Sequence, residues 1–226
     1  MKAILFFIVL TCYTAIGYPQ STTENSLGAW YILNVNHSVS NKLSIKTGAQ
    51  LRSYEVFNNI NLLFLYSGVN YKINTNSTFT LCYGYLDIDK TFKDAGFPHQ
   101  YENRIYEQFS YKHKLVNLPI THRIRVEHRF LNYAHELENK HRLRYSLGTK
   151  IKLSNNLYIN TSNEFFANLK EDMFTENRLY TGLDINISKA YSIQLGYLNH
   201  KINGLNLHRL QVGTFIKTDL RKKNQS

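Results

Sequence analysis

The run ITHRIRVEHRF, residues 120–130, decides the fold. Every second position is polar or charged, and most residues between them are apolar. The polar set is Thr121, Arg123, Arg125, Glu127 and Arg129. Side chains alternate between the two faces of a strand, so this run predicts a strand with one apolar face and one charged face. A helix would distribute the same arginines around its whole circumference.

The flanking runs repeat this pattern. ENRIYEQFSYKHKL (102–115) precedes the central run and KHRLRYSLGTKIK (140–152) follows it. Similar runs of about 11 to 15 residues fill the chain between residues 27 and 220, and eleven of them are counted. They exceed the roughly 9–11 residues that a tilted strand needs to cross a bilayer, whereas strands of soluble sheets have about 5 or 6.

The breaks between runs differ in length. Short breaks at 41–42, 74–77, 116–119, 154–156 and 188–190 alternate with breaks that are mostly longer, at 92–100, 134–139, 170–175 and 202–206; the exception is the short Asn58-Asn59. The predicted fold is all-β: a closed antiparallel up-and-down transmembrane β-barrel with short turns at one end and longer loops at the other. Because bacterial single-chain barrels have an even number of strands, we expect about 10 to 12 and favour 12.

In a membrane barrel the apolar face meets lipid and the polar face lines the lumen. The charged residues predicted to face the lumen are Arg52, Glu102, Arg104, Arg123, Arg125, Glu127, Arg129, Arg142, Arg144, Glu164, Arg178 and Arg209. Either they pair across the lumen and stiffen it, or they form a basic constriction that selects small anionic solutes. Glu107 does not fit, because it lies on the predicted lipid face; a nearby β-bulge is one way to turn it inward.

The N-terminus has the layout of a secretory signal peptide. Lys2 is followed by the apolar run 3–10 and by a small-x-small triplet at 15–17. We predict cleavage after Gly17 and export, with residues 18–226 forming a single outer-membrane barrel domain. Cys82 is then the one cysteine left, which excludes an intramolecular disulfide.

The formal net charge of +11 indicates affinity for an anionic surface or solute. Nucleic acid is not an expected partner, because the basic residues recur along strand faces instead of forming one patch. The predicted location is the bacterial outer membrane. The expected partners are its lipids and lipopolysaccharide, the barrel-assembly machinery and, for an open porin-like lumen, small anionic solutes.

The sequence contains no nucleophile elbow, phosphate loop, HExxH or clustered cysteines. We therefore predict a non-catalytic barrel, structural, binding or a narrow channel, with no cofactor and no metal. Two alternatives stay open. One is a lipid-acting barrel enzyme with a Ser–His arrangement near the bilayer surface, although the sequence alone does not nominate a pair such as Ser110 with His122. The other is a soluble periplasmic barrel or sandwich that binds a ligand.

Several strand patterns together resemble a known family. They are LGAWYILNVNH (27–37), LRSYEVFN (51–58), ENRIYEQF (102–109), RIRVEHRF (123–130), HRLRYSLG (141–148), ENRLYTGL (176–183) and GYLN (196–199). The chain resembles domain-of-unknown-function family two-four-nine-zero over roughly 27–220. The resemblance implies an outer-membrane β-barrel of the kind found mainly in Bacteroidota, and it implies no activity. Within these patterns, Glu102-Asn103-Arg104 returns as Glu176-Asn177-Arg178.

Overall fold

The structure, a computed structural model, describes residues 26–91, 99–169 and 174–221. The predicted signal peptide lies outside the described residues. The strands are β1 (Gly28–Ser38), β2 (Leu43–Ser53), β3 (Ile60–Lys72), β4 (Ser77–Ile88), β5 (Gln100–Leu115), β6 (Leu118–Tyr133), β7 (Glu136–Lys152), β8 (Leu157–Asn168), β9 (Glu176–Asn186), β10 (Tyr191–Ile202) and β11 (Leu205–Asp219). They form one closed barrel in which chain neighbours are also sheet neighbours. The predicted closed up-and-down barrel is confirmed.

The barrel closes between its first and last strands. β1 pairs with β11 in parallel, from Gly28 opposite Arg209 to Ser38 opposite Asp219, whereas every other pair is antiparallel. An odd number of alternating strands leaves the first and last running in the same direction, so closure has to be parallel. The described residues thus contain eleven strands, the number counted from the sequence, and not the favoured twelve. The fully antiparallel prediction is corrected at this one seam.

The two ends of the barrel carry different connections. One end has the turns 39–42, 73–76, 116–117, 153–156 and 187–190, and the other has 54–59, 89–99, 134–135, 169–175 and 203–204. The long loops predicted at 134–139 and 202–206 are therefore two-residue turns, because the flanking strands extend further than expected. The break predicted to be short at Asn58-Asn59 belongs to a six-residue connection, 54–59.

The outer surface of the barrel is apolar. Outward side chains along the strands are substantially exposed, among them Leu65, Leu81 and Leu195 at 45%, 51% and 53%. The tyrosines Tyr31, Tyr83, Tyr111 and Tyr197 lie on the same outer face. A soluble barrel needs the opposite arrangement, with its apolar side chains inside. Among the described residues there is no helix long and apolar enough to cross a membrane.

Inside the barrel, the β3–β5 side is packed with apolar and aromatic groups. Leu62, Phe64, Tyr66, Cys82, Leu86 and Tyr106 form one buried cluster. A smaller cluster joins Trp30, Tyr180 and Leu198. Tyr180 lies close against the backbone, because a Cβ at Gly182 or Gly196 would stand only 2.2 or 2.5 Å from its hydroxyl oxygen. These two glycines make room for the ring.

Candidate functional site

The strands β5 to β9 place arginines and glutamates inside the barrel by simple alternation. Residues two apart on a strand share a face, so Glu102 and Arg104 both point inward, and so do Glu176 and Arg178. Arg104 Nε donates to Glu102 Oε1 at 2.6 Å, and Arg178 forms the equivalent ion pair with Glu176. The repeated Glu-Asn-Arg sequence therefore builds the same ion-pair unit on two strands.

Glu127 is at the centre of this arrangement and is fully buried. Arg142 and Arg144 donate to its two oxygens at 2.7 and 2.6 Å, and Arg104 and Arg125 lie 3.6 and 3.4 Å from it. A carboxylate removed from water is stable only with partners of this kind. Glu127 thus joins arginines from β5, β6 and β7 into one network.

Three further glutamates extend the network around the barrel. Glu102 accepts from Arg129 at 2.7 Å. Glu164 accepts from Arg123 and Arg144, both at 2.8 Å. Glu176 accepts from Arg142 at 3.0 Å and is 2.7 Å from His200. Because Arg104, Arg142 and Arg144 each contact two carboxylates, the four glutamates form one connected set.

Aromatic rings hold the guanidinium groups in place. Phe166 lies against Arg142, Arg144 and Arg178, with guanidinium-to-ring distances of 4.5–4.8 Å. Arg125 lies 4.1 Å from the ring of Tyr106. Cation–π contacts are stronger between desolvated groups, and these guanidinium groups and rings are largely buried. We call the inward arginines at this level of the lumen, the four glutamates and these rings the arginine–glutamate layer.

The arginine–glutamate layer separates two cavities in the lumen. A cavity of about 350 Å³ extends towards the end with the longer loops, where Tyr54 and Lys90 line it. A second cavity, of about 360 Å³, lies on the other side and is lined by Lys46 and Gln50. The side chains shared by both linings are Trp30, Arg52, Arg104, Arg144 and Arg178. These five side chains stand between the two cavities.

Cations outnumber carboxylates in the layer. Its arginines are Arg52, Arg104, Arg123, Arg125, Arg129, Arg142, Arg144 and Arg178, and its carboxylates among the described residues are Glu102, Glu127, Glu164 and Glu176. Eight arginines therefore share four glutamates. The other buried carboxylate in the described lumen, Asp184, is paired with Lys150 at 2.7 Å.

The structure places all twelve of the sequence-predicted charged residues on the inner face. Eleven belong to the arginine–glutamate layer, whereas Arg209 lies at the mouth of the first cavity and donates to backbone carbonyls. Sequence reasoning missed Glu176, His200, Trp30 and Phe166 as members of the site. The repeat of Glu102-Asn103-Arg104 could have identified Glu176. No comparable sequence signal marks the two rings.

Two sequence predictions concern polar residues of β5 and β6, the Ser110–His122 pair and the orientation of Glu107. Ser110 and His122 lie on opposite faces of the sheet: Ser110 accepts from Gln108 and lines the lumen, while His122 stacks outside on His113. They cannot act as a pair. Glu107 stays outside, because the β5–β6 register continues through it without a bulge, and it lies 3.2 Å from His128.

Metal binding finds no support in the described part of the chain, where no three histidine, cysteine or acidic side chains are arranged to hold an ion. Even the outward histidines His128 and His141 contact each other through their Nδ1 atoms at 2.9 Å, while Glu107 contacts the opposite ring nitrogen of His128. A single ion could not use both contacts. The one cysteine that the structure describes, Cys82, is buried and free.

Comparison with known proteins places the chain in a family. Among solved structures, the barrel is similar to the translocator domain of autotransporter NalP from Neisseria meningitidis, with 10% sequence identity, a TM-score of 0.45, and coverage of 75% of this chain and 72% of that one. A search of curated proteins gave no match. The family model described as "Protein of unknown function (DUF2490)" matches residues 27–211, which confirms the resemblance seen in the sequence. The chain belongs to this family.

Proposed function

We propose that this chain is a non-catalytic barrel of the bacterial outer membrane whose lumen is closed midway by the arginine–glutamate layer. One observation carries the proposal: Trp30, Arg52, Arg104, Arg144 and Arg178 line the cavities on both sides of the layer. A channel would need continuous open space at this level, where these side chains instead lie between two separate cavities. The chain therefore acts as a closed scaffold with an inner binding cavity, and not as an open pore.

The outer surface supports a membrane location. A band of exposed leucine, isoleucine, valine and phenylalanine side chains encircles the barrel, with outward tyrosines among them. Aromatic residues flanking such a band are typical of transmembrane barrels. In this proposal a cleaved signal peptide exports the chain, the barrel-assembly machinery inserts it, and lipids and lipopolysaccharide surround it.

Two measurements on the full chain test the proposal. Unboiled protein from the washed outer-membrane fraction should migrate differently from boiled protein on a gel. The purified barrel should then give no unitary current steps in a planar bilayer, where a porin reconstituted in the same way serves as the positive control. Stepwise conductance would replace the closed scaffold by a channel. Release by osmotic shock, with no heat-dependent shift, would favour a soluble binding protein.

A further inference from the structure

We propose that the lumen binds a small oxyanion of the phosphate type, held by Arg52 and Arg178 beside Trp30. This inference rests on the proposed function and gives its inner cavity a ligand class. Its starting point is the imbalance in the arginine–glutamate layer, where eight arginines share four glutamates. Cations in excess inside a protein are strongly disfavoured unless an opposite charge lies near them.

Arg52 is the layer arginine whose charge is least compensated. No carboxylate of the described residues lies within ion-pairing distance of its guanidinium. Its Nη2 donates to Gln50 Oε1 at 2.9 Å, and its Nε is buried without a hydrogen-bond partner. The guanidinium lies over the Trp30 ring, 3.8 Å from the ring centre. The ring fixes its orientation but leaves donors free.

Arg178 lies beside the same ring and, like Arg52, has a side-chain donor without a hydrogen-bond partner. Its guanidinium lies 4.8 Å from the Trp30 ring and 4.5 Å from the Phe166 ring, and it forms an ion pair with Glu176. Its Nε is also buried without a hydrogen-bond partner. Two guanidinium groups that lie against one ring and line one cavity present cationic N–H groups of the kind that bind tetrahedral oxyanions.

The cavity next to these arginines restricts what can bind. Its volume of about 350 Å³ exceeds the size of a phosphate ion, and Arg129, Lys90 and Arg209 add positive charge to its wall. Because the cavity lies inside the barrel, a lipid with acyl chains outside cannot place its headgroup there. The ligand is therefore a free solute that carries a phosphate or a similar oxyanion group.

Calorimetric titration of inorganic phosphate into the detergent-purified full chain tests the site, with chloride used to match the ionic strength. Wild-type protein should bind saturably and change the fluorescence of Trp30, which is the one tryptophan of the sequence. Arg52→Gln should weaken binding by about tenfold or more, because it removes the charge and the fork. Arg221→Gln is the matched control, since it removes one positive charge outside the barrel and should leave Kd unchanged.

Two outcomes would overturn the proposal. One is wild-type protein that shifts on heating, carries no current and yet binds no phosphate; the proposed closed barrel would then stand and the anion site would fall. The other is an equal loss of affinity in both variants, which would assign binding to general surface charge. Should Arg52→Gln not fold, Arg52→Lys replaces it, because it keeps the charge but lacks the fork, and it should weaken binding by about threefold or more.

Discussion

The β3–β4 side of the lumen is filled by Leu62, Phe64, Tyr66 and Leu86, whereas the β5–β9 side is filled by arginines and glutamates. Both sides are buried, and both alternate with an apolar outer face. No residue on the apolar side depends on one specific partner, because the energy of each van der Waals contact is small and is spread over many neighbours. The charged side depends on partners, because each guanidinium and carboxylate needs another group nearby.

The two sides also meet each other. Arg104 lies 5.4 Å from the Phe64 ring, and Arg125 lies 4.1 Å from the Tyr106 ring. Long arginine side chains thus lie against aromatic rings of nearby strands, with Arg125 on β6 next to Tyr106 on β5 and Arg104 on β5 one strand removed from Phe64 on β3. The lumen is therefore filled by long arginine side chains from β5–β9 and by bulky apolar side chains from β3–β4. Single substitutions should therefore act very differently on each.

The largest effect is expected at the centre of the charged side. Glu127→Gln should lower the free energy of unfolding by about 3–5 kcal/mol, because four arginines would lose their common carboxylate. The protein is unfolded with guanidinium chloride in lipid vesicles, and the midpoint of the transition is measured by the fluorescence of Trp30. Glu138→Gln is the control. Glu138 lies on the inward face of β7, but its carboxylate is largely exposed, so the free energy of unfolding should hardly change.

The opposite outcome at Glu127 would be informative. A loss below about 1 kcal/mol would mean that the arginines find other anions or water, as exposed ion pairs do. The layer would then not be a dry network, and the contrast between the two sides would disappear.

A smaller effect is expected on the apolar side. Leu86→Ala should cost about 2–3 kcal/mol, the lower part of the usual range for buried leucine, because Leu86 adjoins the first cavity. Water or neighbouring side chains can then enter the space that the leucine leaves. The same unfolding midpoint measures it, and Leu81→Ala on the outer face of the same strand is the control for lost strand propensity. A cost as large as that of Glu127→Gln would show that this wall is equally dependent on single residues.

The strands and their inner faces follow from the sequence because alternation is a local property. Arg123, Arg125 and Glu127 reveal their common face through spacing alone. Which glutamate each arginine binds is not local: Arg142 joins Glu127 on β6 to Glu176 on β9. Glu127 and Arg142 face each other on adjacent strands, and Glu176 is two strands from Arg142, so these contacts depend on strand pairing and side-chain reach, which no spacing in one strand encodes.

One turn and the parallel pairing of β1 with β11 could not be predicted from local sequence. Asn203-Gly204, a dipeptide suited to tight hairpins, has positive φ at both residues and forms a two-residue turn. Ala134-His135 also has positive φ at both residues, 49° and 70°, without any turn-forming residue. The long β6–β7 hairpin imposes that conformation, so the sequence at 134–135 could not predict it. The parallel seam between β1 and β11 likewise depends on the count of all strands and on no single motif.

The smallest effect concerns a charge outside the barrel. Glu107 and His128 form a pair on the outer face, where their side chains are 39% and 36% exposed. Glu107→Leu should raise the free energy of unfolding in lipid vesicles by about 1 kcal/mol or less, because a carboxylate facing lipid is disfavoured. His128 would keep its contact with His141. Glu138→Leu, on the inward face at an exposed end of β7, is the control for a glutamate-to-leucine change away from lipid and should change little.

A loss of stability in Glu107→Leu would reverse the comparison between inside and outside. It would mean that the Glu107–His128 pair contributes to folding, as the lumen pairs do, even though both groups are open to their surroundings on one side. The measurement should be repeated in a detergent micelle, where water reaches the barrel surface more easily. A gain in lipid that vanishes in detergent would assign the cost of Glu107 to the hydrocarbon around it. A gain of equal size in both would assign it instead to crowding of Glu107 by its neighbours on β5 and β6.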